Sequence, residues 1–151
     1  MPRFVLYLLA LFLLCRWATG AAAPLSDPTL QVQSPEVRAA FAKGAPLLEN
    51  AAYKIHASRR TEPGQAEVHV LDTDIIYVIE GGATLVTGGV MTNPTEVAPR
   101  EIRGAAIEGG TAREIGPGDV LVVPHGTPHW FQSVRGPVLY YVVKVTASEV
   151  R

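Results

Sequence analysis

The segment from Gly118 to Gln132 constrains the fold and function of this chain more than any other part of the sequence. Its run Val120–Val123 is short, apolar and rich in β-branched residues, which predicts a buried strand. Pro124 and Gly126 predict a tight turn after it, because proline fixes its own φ and glycine easily adopts a positive φ. A second strand then carries His129. The segment therefore predicts a hairpin that holds an imidazole, the commonest side-chain metal ligand, just past a rigid turn.

The spacing within this segment resembles the second motif of the cupin family, which reads G-x(5)-P-x-G-x(2)-H-x(3)-N. Gly118, Pro124, Gly126 and His129 occupy the first four fixed positions in register. Ser133 stands at the position where the family has asparagine. Four residues in register around an apolar strand are a specific signal, and the resemblance implies that His129 is a metal ligand.

An upstream segment resembles a degenerate form of the family's first motif, G-x(5)-H-x-H-x(3,4)-E-x(6)-G. Gly81 fits the last position, Asp74 stands at the glutamate position and His69 at the second histidine position. Glu67 replaces the first histidine, and Thr61 replaces the first glycine. The resemblance covers residues 67–133. It implies a single-domain cupin, an all-β protein built as a small antiparallel jelly-roll barrel.

Strand periodicity supports this register. Glu67 and His69 point to one face of a strand, whereas Val68 and Val70 point to the other. If a second sheet or another subunit covers the valine face, the polar pair faces the barrel interior. Ionisable groups in an interior are unfavourable unless they are paired, hydrogen-bonded or bound to a metal. A dication is the simplest partner for the whole set, Glu67, His69, Asp74 and His129.

Two imidazoles and two carboxylates form a donor set that suits Fe(II), Mn(II), Zn(II) or Ni(II). His69 and His129 with one carboxylate also make the triad that leaves coordination positions open for O₂ and substrate. By the motif, Asp74 supplies that carboxylate, and Glu67 is either a fourth ligand or a catalytic base beside the metal. The structural alternatives are a core histidine bonded to a carbonyl for His129, a turn cap for Asp74 and a solvated strand end for Glu67.

Other polar residues have structural interpretations. His125 lies on the predicted turn and His56 at an alternating surface position, so both are expected in solvent. Arg59 and Arg60 are interpreted as a solvated pair. The alternative for this pair is that it binds an anionic substrate at the mouth of the barrel.

The first 22 residues resemble a secretory signal peptide. Arg3 precedes an apolar run of twelve residues, Phe4–Cys15, and small residues follow up to Ala22. The run is too short for a membrane span of ~20 residues. We therefore expect export to a periplasm or out of the cell, with no membrane contact after removal of the signal. A retained interfacial anchor is the alternative.

Removal of this signal leaves about 129 of the 151 residues, enough for a single hydrophobic core. Cys15 is the only cysteine and leaves with the signal, so the mature chain must be stabilised without disulfides. Loss of Arg3 and Arg16 leaves 11 basic and 14 acidic residues, a formal charge of −3. This charge argues against nucleic acid or an anionic membrane as a partner.

The remaining chain divides into an N-terminal arm with a short helix, residues 23–50, and a cupin domain, residues 51–148. Ser34 as N-cap, Pro35 in the first turn and Gly44 after the last turn predict the helix. From residue 51 onward, many short strands separated by turn residues predict an antiparallel sandwich or barrel. Within it, residues 91–99 are expected to form an irregular loop, and Glu108–Gly110 to close a hairpin.

Together these features predict an exported, metal-dependent enzyme, an oxygenase-type oxidoreductase that acts on a small organic molecule. Two alternatives stay open: a non-enzymatic binding or sensing module, and a metal-dependent isomerase or lyase. Cupins commonly dimerise through edge strands, so the resemblance also implies a homodimer. The fold does not select among these functions, because one fold hosts many of them.

Overall fold

A computed structural model describes residues 28–148 of the chain. The predicted signal peptide, residues 1–22, lies outside the described residues, so export stays a prediction. No helix between residues 28 and 148 is long and apolar enough to cross a membrane. One helix and eleven strands form within this range: α1 (Ser34–Lys43), β1 (Ala45–Glu49), β2 (Tyr53–Arg60), β3 (Ala66–His69), β4 (Asp72–Thr87), β5 (Val90–Thr92), β6 (Thr95–Ala98), β7 (Glu101–Gly104), β8 (Ala106–Glu108), β9 (Thr111–Ile115), β10 (Val120–Val123) and β11 (His129–Thr146).

The strands confirm the predicted all-β, antiparallel jelly-roll class. Nine of them form one curled antiparallel sheet, and β5 with β8 forms a second sheet of two strands. The two longest strands, β4 and β11, pair with each other over most of their length. Register shifts near Ser133 and Leu139 interrupt this pairing. Bulges of that kind bend and twist a strand, which allows the sheet to curl around an interior.

The predicted hairpin between Val120–Val123 and the strand of His129 is wrong. β10 pairs with β4 instead, whereas β11 pairs with β2, β3 and β4. The connection between β10 and β11 is tied to β3, because the Gly126 amide donates a hydrogen bond to the His69 carbonyl at 2.8 Å. The turn itself is present, but it carries the chain to another part of the sheet rather than back along β10. β10 is also not the buried strand that its apolar sequence predicts, because Val120 and Val122 are 64% and 61% exposed.

Two further predictions are wrong between β5 and β9. Glu108–Gly110 does not close a hairpin, because β8 pairs with β5 and β9 pairs with β4. The chain passes here from the small sheet to the large one, with Gly109 at φ +68°. Residues 91–99, expected as an irregular loop, contribute to β5 and form β6, which pairs with β7. Strands of three or four residues are too short to show a clear alternating pattern in a sequence.

The predicted N-terminal helix is confirmed as α1. It begins one residue earlier than a Ser34 N-cap implies, because Gln33 is the N-cap. The backbone N–H of Gln33 donates a hydrogen bond to Glu36 Oε2 at 3.3 Å. The helix packs on the outside of the sheet, where the Phe41 ring meets Tyr141 edge-on at 4.9 Å. The residues after α1 form β1, which pairs with β2, although the sequence analysis places them in the arm.

The main hydrophobic core is built mostly from β4 and β11. Its most deeply buried aliphatic side chains are at most 2% exposed, namely Ile76, Val78, Leu85 and Val138. Outward-facing residues alternate with them along β4, so that Tyr77 is 46% exposed. Ile76 also lines the cavity described below, so the apolar core borders the polar site.

Gly81 allows β4 and β11 to approach each other closely. Its φ is +77°, a left-handed conformation that other residues rarely adopt. A Cβ atom at this position would lie 2.2 Å from the carbonyl oxygen of Pro137. The glycine that ends the first motif therefore has a structural reason in this chain.

Candidate metal centre

Three side chains from neighbouring strands converge inside the barrel. Glu67 and His69 lie on one face of β3, and His129, the first residue of β11, pairs in register with Glu67. One donor atom from each of the three lies within 4.8 Å of the other two. The residues are 9%, 7% and 2% exposed, respectively. The fold thus brings together three of the four residues that the motifs indicate as metal ligands.

His129 presents one ring nitrogen to this cluster. Its Nδ1 donates a hydrogen bond to the carbonyl of Thr127, 3.1 Å away. Its Nε2 is buried, has no hydrogen-bond partner within residues 28–148, and lies 3.4 Å from Glu67 Oε1. A core histidine bonded to a carbonyl accounts for Nδ1 alone. A buried nitrogen without a hydrogen bond is unfavourable, and either a proton that pairs it with Glu67 or a metal ion at this point would satisfy it.

His69 is oriented in the same way by an outer carboxylate. Its Nδ1 hydrogen-bonds to Glu101, and its Nε2 lies 3.5 Å from Asp74 Oδ2. The ring centroids of His69 and His129 are 5.1 Å apart. Metal-binding histidines usually donate one ring N–H to a carboxylate or carbonyl while the other nitrogen faces the metal. Both histidines have this arrangement.

Asp74 borders the cluster but is held by a cation. Its Oδ1 and Oδ2 lie 2.7 Å and 2.8 Å from Lys144 Nζ, and Oδ2 lies 3.8 Å from His129 Nε2. The pairing of β4 with β11 sets Asp74 directly opposite Lys144. Lys144 is not among the site residues predicted from the sequence, although it has the same strand parity as Val142, which faces the interior. Ligation of a metal by Asp74 stays a prediction.

Glu101 and Arg103 form an outer layer that sequence analysis also missed. The pairing of β7 with β3 sets Glu101 opposite His69 and Arg103 opposite Glu67. Arg103 forms ion pairs with both Glu67 and Glu101. Neither residue carried a sequence signal, because both lie outside the two motifs on a strand of four residues.

The buried charges shift the acid–base behaviour of the site. Burial by itself raises the pKa of Glu67, but the neighbouring His129 and a guanidinium outweigh this effect and lower the pKa to about 2. Burial by itself lowers the pKa of His69, but hydrogen bonds to Asp74 and Glu101 outweigh it and raise the pKa to about 9. The carboxylates therefore remain charged and favour a compensating positive charge, which either a proton on His69 or a dication supplies.

The cluster opens into a cavity of about 320 Å³. Its apolar wall is formed by side chains of the core, namely Ile76, Phe131, Tyr140 and Val142. His56 and Arg60, which the sequence analysis placed in solvent, are half-buried and line the cavity. Arg59 and His125 are exposed, as expected.

The donor set fits a divalent transition metal. Two imidazole nitrogens and a carboxylate oxygen lie within 4.8 Å of one another, and each imidazole has its other nitrogen committed to a hydrogen bond. These are borderline to hard donors, which suit Fe(II), Mn(II), Zn(II) and Ni(II) alike. Three protein ligands also leave coordination positions for a molecule in the cavity.

Comparisons with known proteins agree with the fold. The cupin family model matches residues 26–151, whereas no curated protein matches the sequence. A solved structure from Bacillus halodurans is 14% identical, with a TM-score of 0.57, over 83% of this chain and 88% of its own. KdgF from Halomonas sp. is 17% identical, with a TM-score of 0.50, and the match covers 70% of this chain and 79% of the KdgF chain.

At such low identity, the likeness to solved structures speaks to the fold alone. The family model carries more weight, because it includes both motifs and every described strand. Since that match spans residues 26–151, the protein belongs to the cupin family.

Proposed function

We propose that the chain is an exported, metal-dependent cupin enzyme of the oxygenase type that acts on a small organic molecule. Glu67, His69 and His129 would hold a divalent transition metal beside the cavity. The observation that supports this most strongly is the buried Nε2 of His129, which has no hydrogen-bond partner within the described residues while Nδ1 is committed to Thr127. A histidine that binds a metal needs one ring nitrogen free of hydrogen bonds while the other is held by one.

Glu67 fits the role of ligand better than that of a mobile base. Its Oε2 is bound by Arg103, whereas its Oε1 faces His129 Nε2. A bound divalent metal supplies Lewis-acid polarisation of a substrate oxygen and, when it is redox-active, activation of O₂.

The remaining polar residues orient the site. Glu101 fixes the ring of His69, and the carbonyl of Thr127 fixes the ring of His129. Lys144 lies in the cavity wall with its side chain 14% exposed. An ammonium group in this position stabilises negative charge that develops on a bound substrate.

Metal analysis of the purified protein tests this function. We expect stoichiometric metal in the wild type, none in His129→Ala, and the wild-type amount in His125→Ala. His125 is an exposed histidine on the neighbouring turn, so this variant controls for the loss of an imidazole as such. Full metal content in His129→Ala would overturn the proposal. O₂ consumption with candidate substrates then separates an oxygenase from an isomerase or lyase, because the latter two reactions need no oxidant.

A non-enzymatic binding or sensing module is the second candidate, and one observation favours it. Lys144 and Arg103 already pair with the carboxylates of Asp74 and Glu67, so each of these two carboxylates has a cationic partner without a metal. In such a module the cavity would hold its ligand by polar contacts without a metal. A folded wild-type protein that stays free of metal after growth in metal-supplemented medium would favour this function over the enzyme.

Export is proposed from the apolar run Phe4–Cys15 and the small residues after it. Cell fractionation and N-terminal sequencing of the full chain expressed in a bacterial host test it. We expect mature protein outside the cytoplasm that begins near Ala23. Recovery of the uncleaved chain from the cytoplasm would contradict export.

A further inference from the structure

One wall of the cavity carries a cation that has no carboxylate partner among residues 28–148. Arg60, the last residue of β2, is half-buried and places its guanidinium carbon 4.6 Å from the centroid of the Phe131 ring. Its Nε atom is buried and makes no hydrogen bond within the described residues. The other lysine and arginine side chains of the wall each contact a carboxylate, namely Lys54, Arg103 and Lys144.

Strand parity directs the Arg60 side chain into the cavity. Alternate residues of β2 line it, namely Lys54, His56, Ser58 and Arg60. Arg59 has the opposite parity and is exposed. The two adjacent arginines therefore have different environments, and Arg60 alone is available to a molecule inside the barrel.

A buried hydroxyl lies next to this guanidinium. Tyr140 of β11 pairs in register with Ser58, and its ring stacks on Phe131 at 5.2 Å between centroids. Burial raises the pKa of Tyr140, whereas the charge of the nearby Arg60 lowers it. The charge of Glu67, one of the candidate metal ligands, also raises the pKa of Tyr140. The cation, the hydroxyl and the candidate metal centre therefore share one small cavity.

The formal charge of the wall indicates what the cavity would accept. Five carboxylates line it, namely Glu49, Glu67, Asp72, Asp74 and Glu101, and four lysine or arginine side chains face them. With the imidazoles counted as neutral, a dication at the candidate centre changes the formal balance of this lining from −1 to +1. A guest with a single negative charge would then neutralise the cavity.

We propose that the cavity binds a small organic monocarboxylate, with Arg60 as the residue that recognises the carboxylate group. The planar guanidinium donates parallel hydrogen bonds to both oxygens of such a group, and Tyr140 is placed to add its hydroxyl. The rest of the molecule then extends towards Glu67, His69 and His129. This last part and the net charge that favours a monoanion rest on the proposed metal-dependent function, whereas the Arg60 guanidinium has no carboxylate partner within residues 28–148 with or without the metal.

Calorimetric titration of the purified protein with benzoate, acetate, benzamide and inorganic phosphate tests the inference. We expect the carboxylates to bind, and benzamide, which has the shape of benzoate without its charge, to bind far more weakly. Arg60→Met should weaken benzoate binding by roughly ten-fold or more, since it removes a charge-assisted pair of hydrogen bonds. Arg59→Met is the matched control and should bind benzoate as the wild type does.

Three results would overturn the inference: equal benzoate affinity in Arg60→Met and wild type, no binding of any carboxylate, or tighter binding of phosphate than of every carboxylate. If Arg60→Met does not fold, Arg60→Lys replaces it. That variant keeps the charge but not the planar fork, so several-fold weaker binding is expected and unchanged binding overturns the inference. Metal content is measured on the same samples. Carboxylate binding by a metal-free wild type would support the Arg60 site while the proposed metal function fails.

Discussion

Lys144 Nζ lies 2.7 Å from Asp74 Oδ1 and 2.8 Å from Oδ2, so one ammonium group holds both oxygens of this carboxylate. Asp74 stands at the ligand position of the first cupin motif, and Lys144 pairs with it in register from the neighbouring strand β11. A cation in this place competes with a metal for the same carboxylate and repels the metal. Lys144 is therefore expected to weaken metal binding.

Lys144→Met should raise the affinity for a divalent metal by roughly ten-fold or more, because the variant removes a repulsive charge and frees Asp74. Competition with a chromogenic chelator measures this affinity. Lys54→Met is the control, since Lys54 lines the same cavity but pairs with Asp72 at 2.7 Å. Unchanged or weaker metal binding in Lys144→Met would contradict the prediction.

Glu101→Gln should lower metal affinity by about 10- to 100-fold, because Glu101 accepts the Nδ1 hydrogen bond that orients His69. The same chelator competition reports the change, and circular dichroism checks the fold. Glu108→Gln, an exposed position, should leave the affinity unchanged. Equal losses in the two variants would mean that the effect of Glu101 is not specific to His69.

Gly81→Ala should destabilise the fold by about 3 kcal/mol or more, because it adds backbone strain at a positive φ to a clash with Pro137. Urea unfolding measures the loss. Gly116→Ala is the control, since nothing lies within 4 Å of its added Cβ, and its free energy of unfolding should change by less than about 0.5 kcal/mol. A stable Gly81→Ala protein would show that β4 and β11 can separate here without loss.

Leu85→Ala should destabilise the protein by about 2–5 kcal/mol, because the side chain is 0% exposed in the main core and the substitution leaves a cavity. Urea unfolding followed by tryptophan fluorescence measures the change. Leu30→Ala, at a position that is 61% exposed, should have little effect. Similar stability of both variants would mean that Leu85 does not belong to the cooperative core.

The predicted homodimer can be tested on the outer face of β4 and β10. Tyr77, Val120 and Val122 are 46%, 64% and 61% exposed, and Val120 pairs in register with Tyr77. Val122→Asp should dissociate the dimer, because it would bury an unpaired carboxylate in the interface. Val90→Asp on the small sheet, where Val90 is 72% exposed, should remain dimeric. Light scattering after size exclusion gives the mass, and a monomeric wild type would refute the prediction.

Local rules of strand parity and turn chemistry explain why much of the fold and the inner residues of the site could be predicted. Glu67 and His69 are two residues apart on a strand, so they share a face wherever that strand lies. Pro124 and Gly126 mark a turn, and His129 follows it whichever strands are paired. These properties are contained in short segments, so the sequence is sufficient to show them.

The outer part of the site depends on pairing between distant segments. Glu101, Arg103 and Lys144 reach the cluster only because β7 pairs with β3 and β11 with β4 in one register. A shift of one residue would turn each of these side chains to the opposite face. The two incorrect hairpins have the same origin, since a turn motif shows where a chain bends but not which strand it joins next.

Arg103 links two acidic groups, because its guanidinium contacts both Glu67 and Glu101. A substitution at position 103 therefore leaves two carboxylates without their guanidinium partner in a single mutational step. A lone substitution at Arg103 should accordingly be rare in evolution. Proteins that lack the arginine should therefore also lack at least one of the two glutamates.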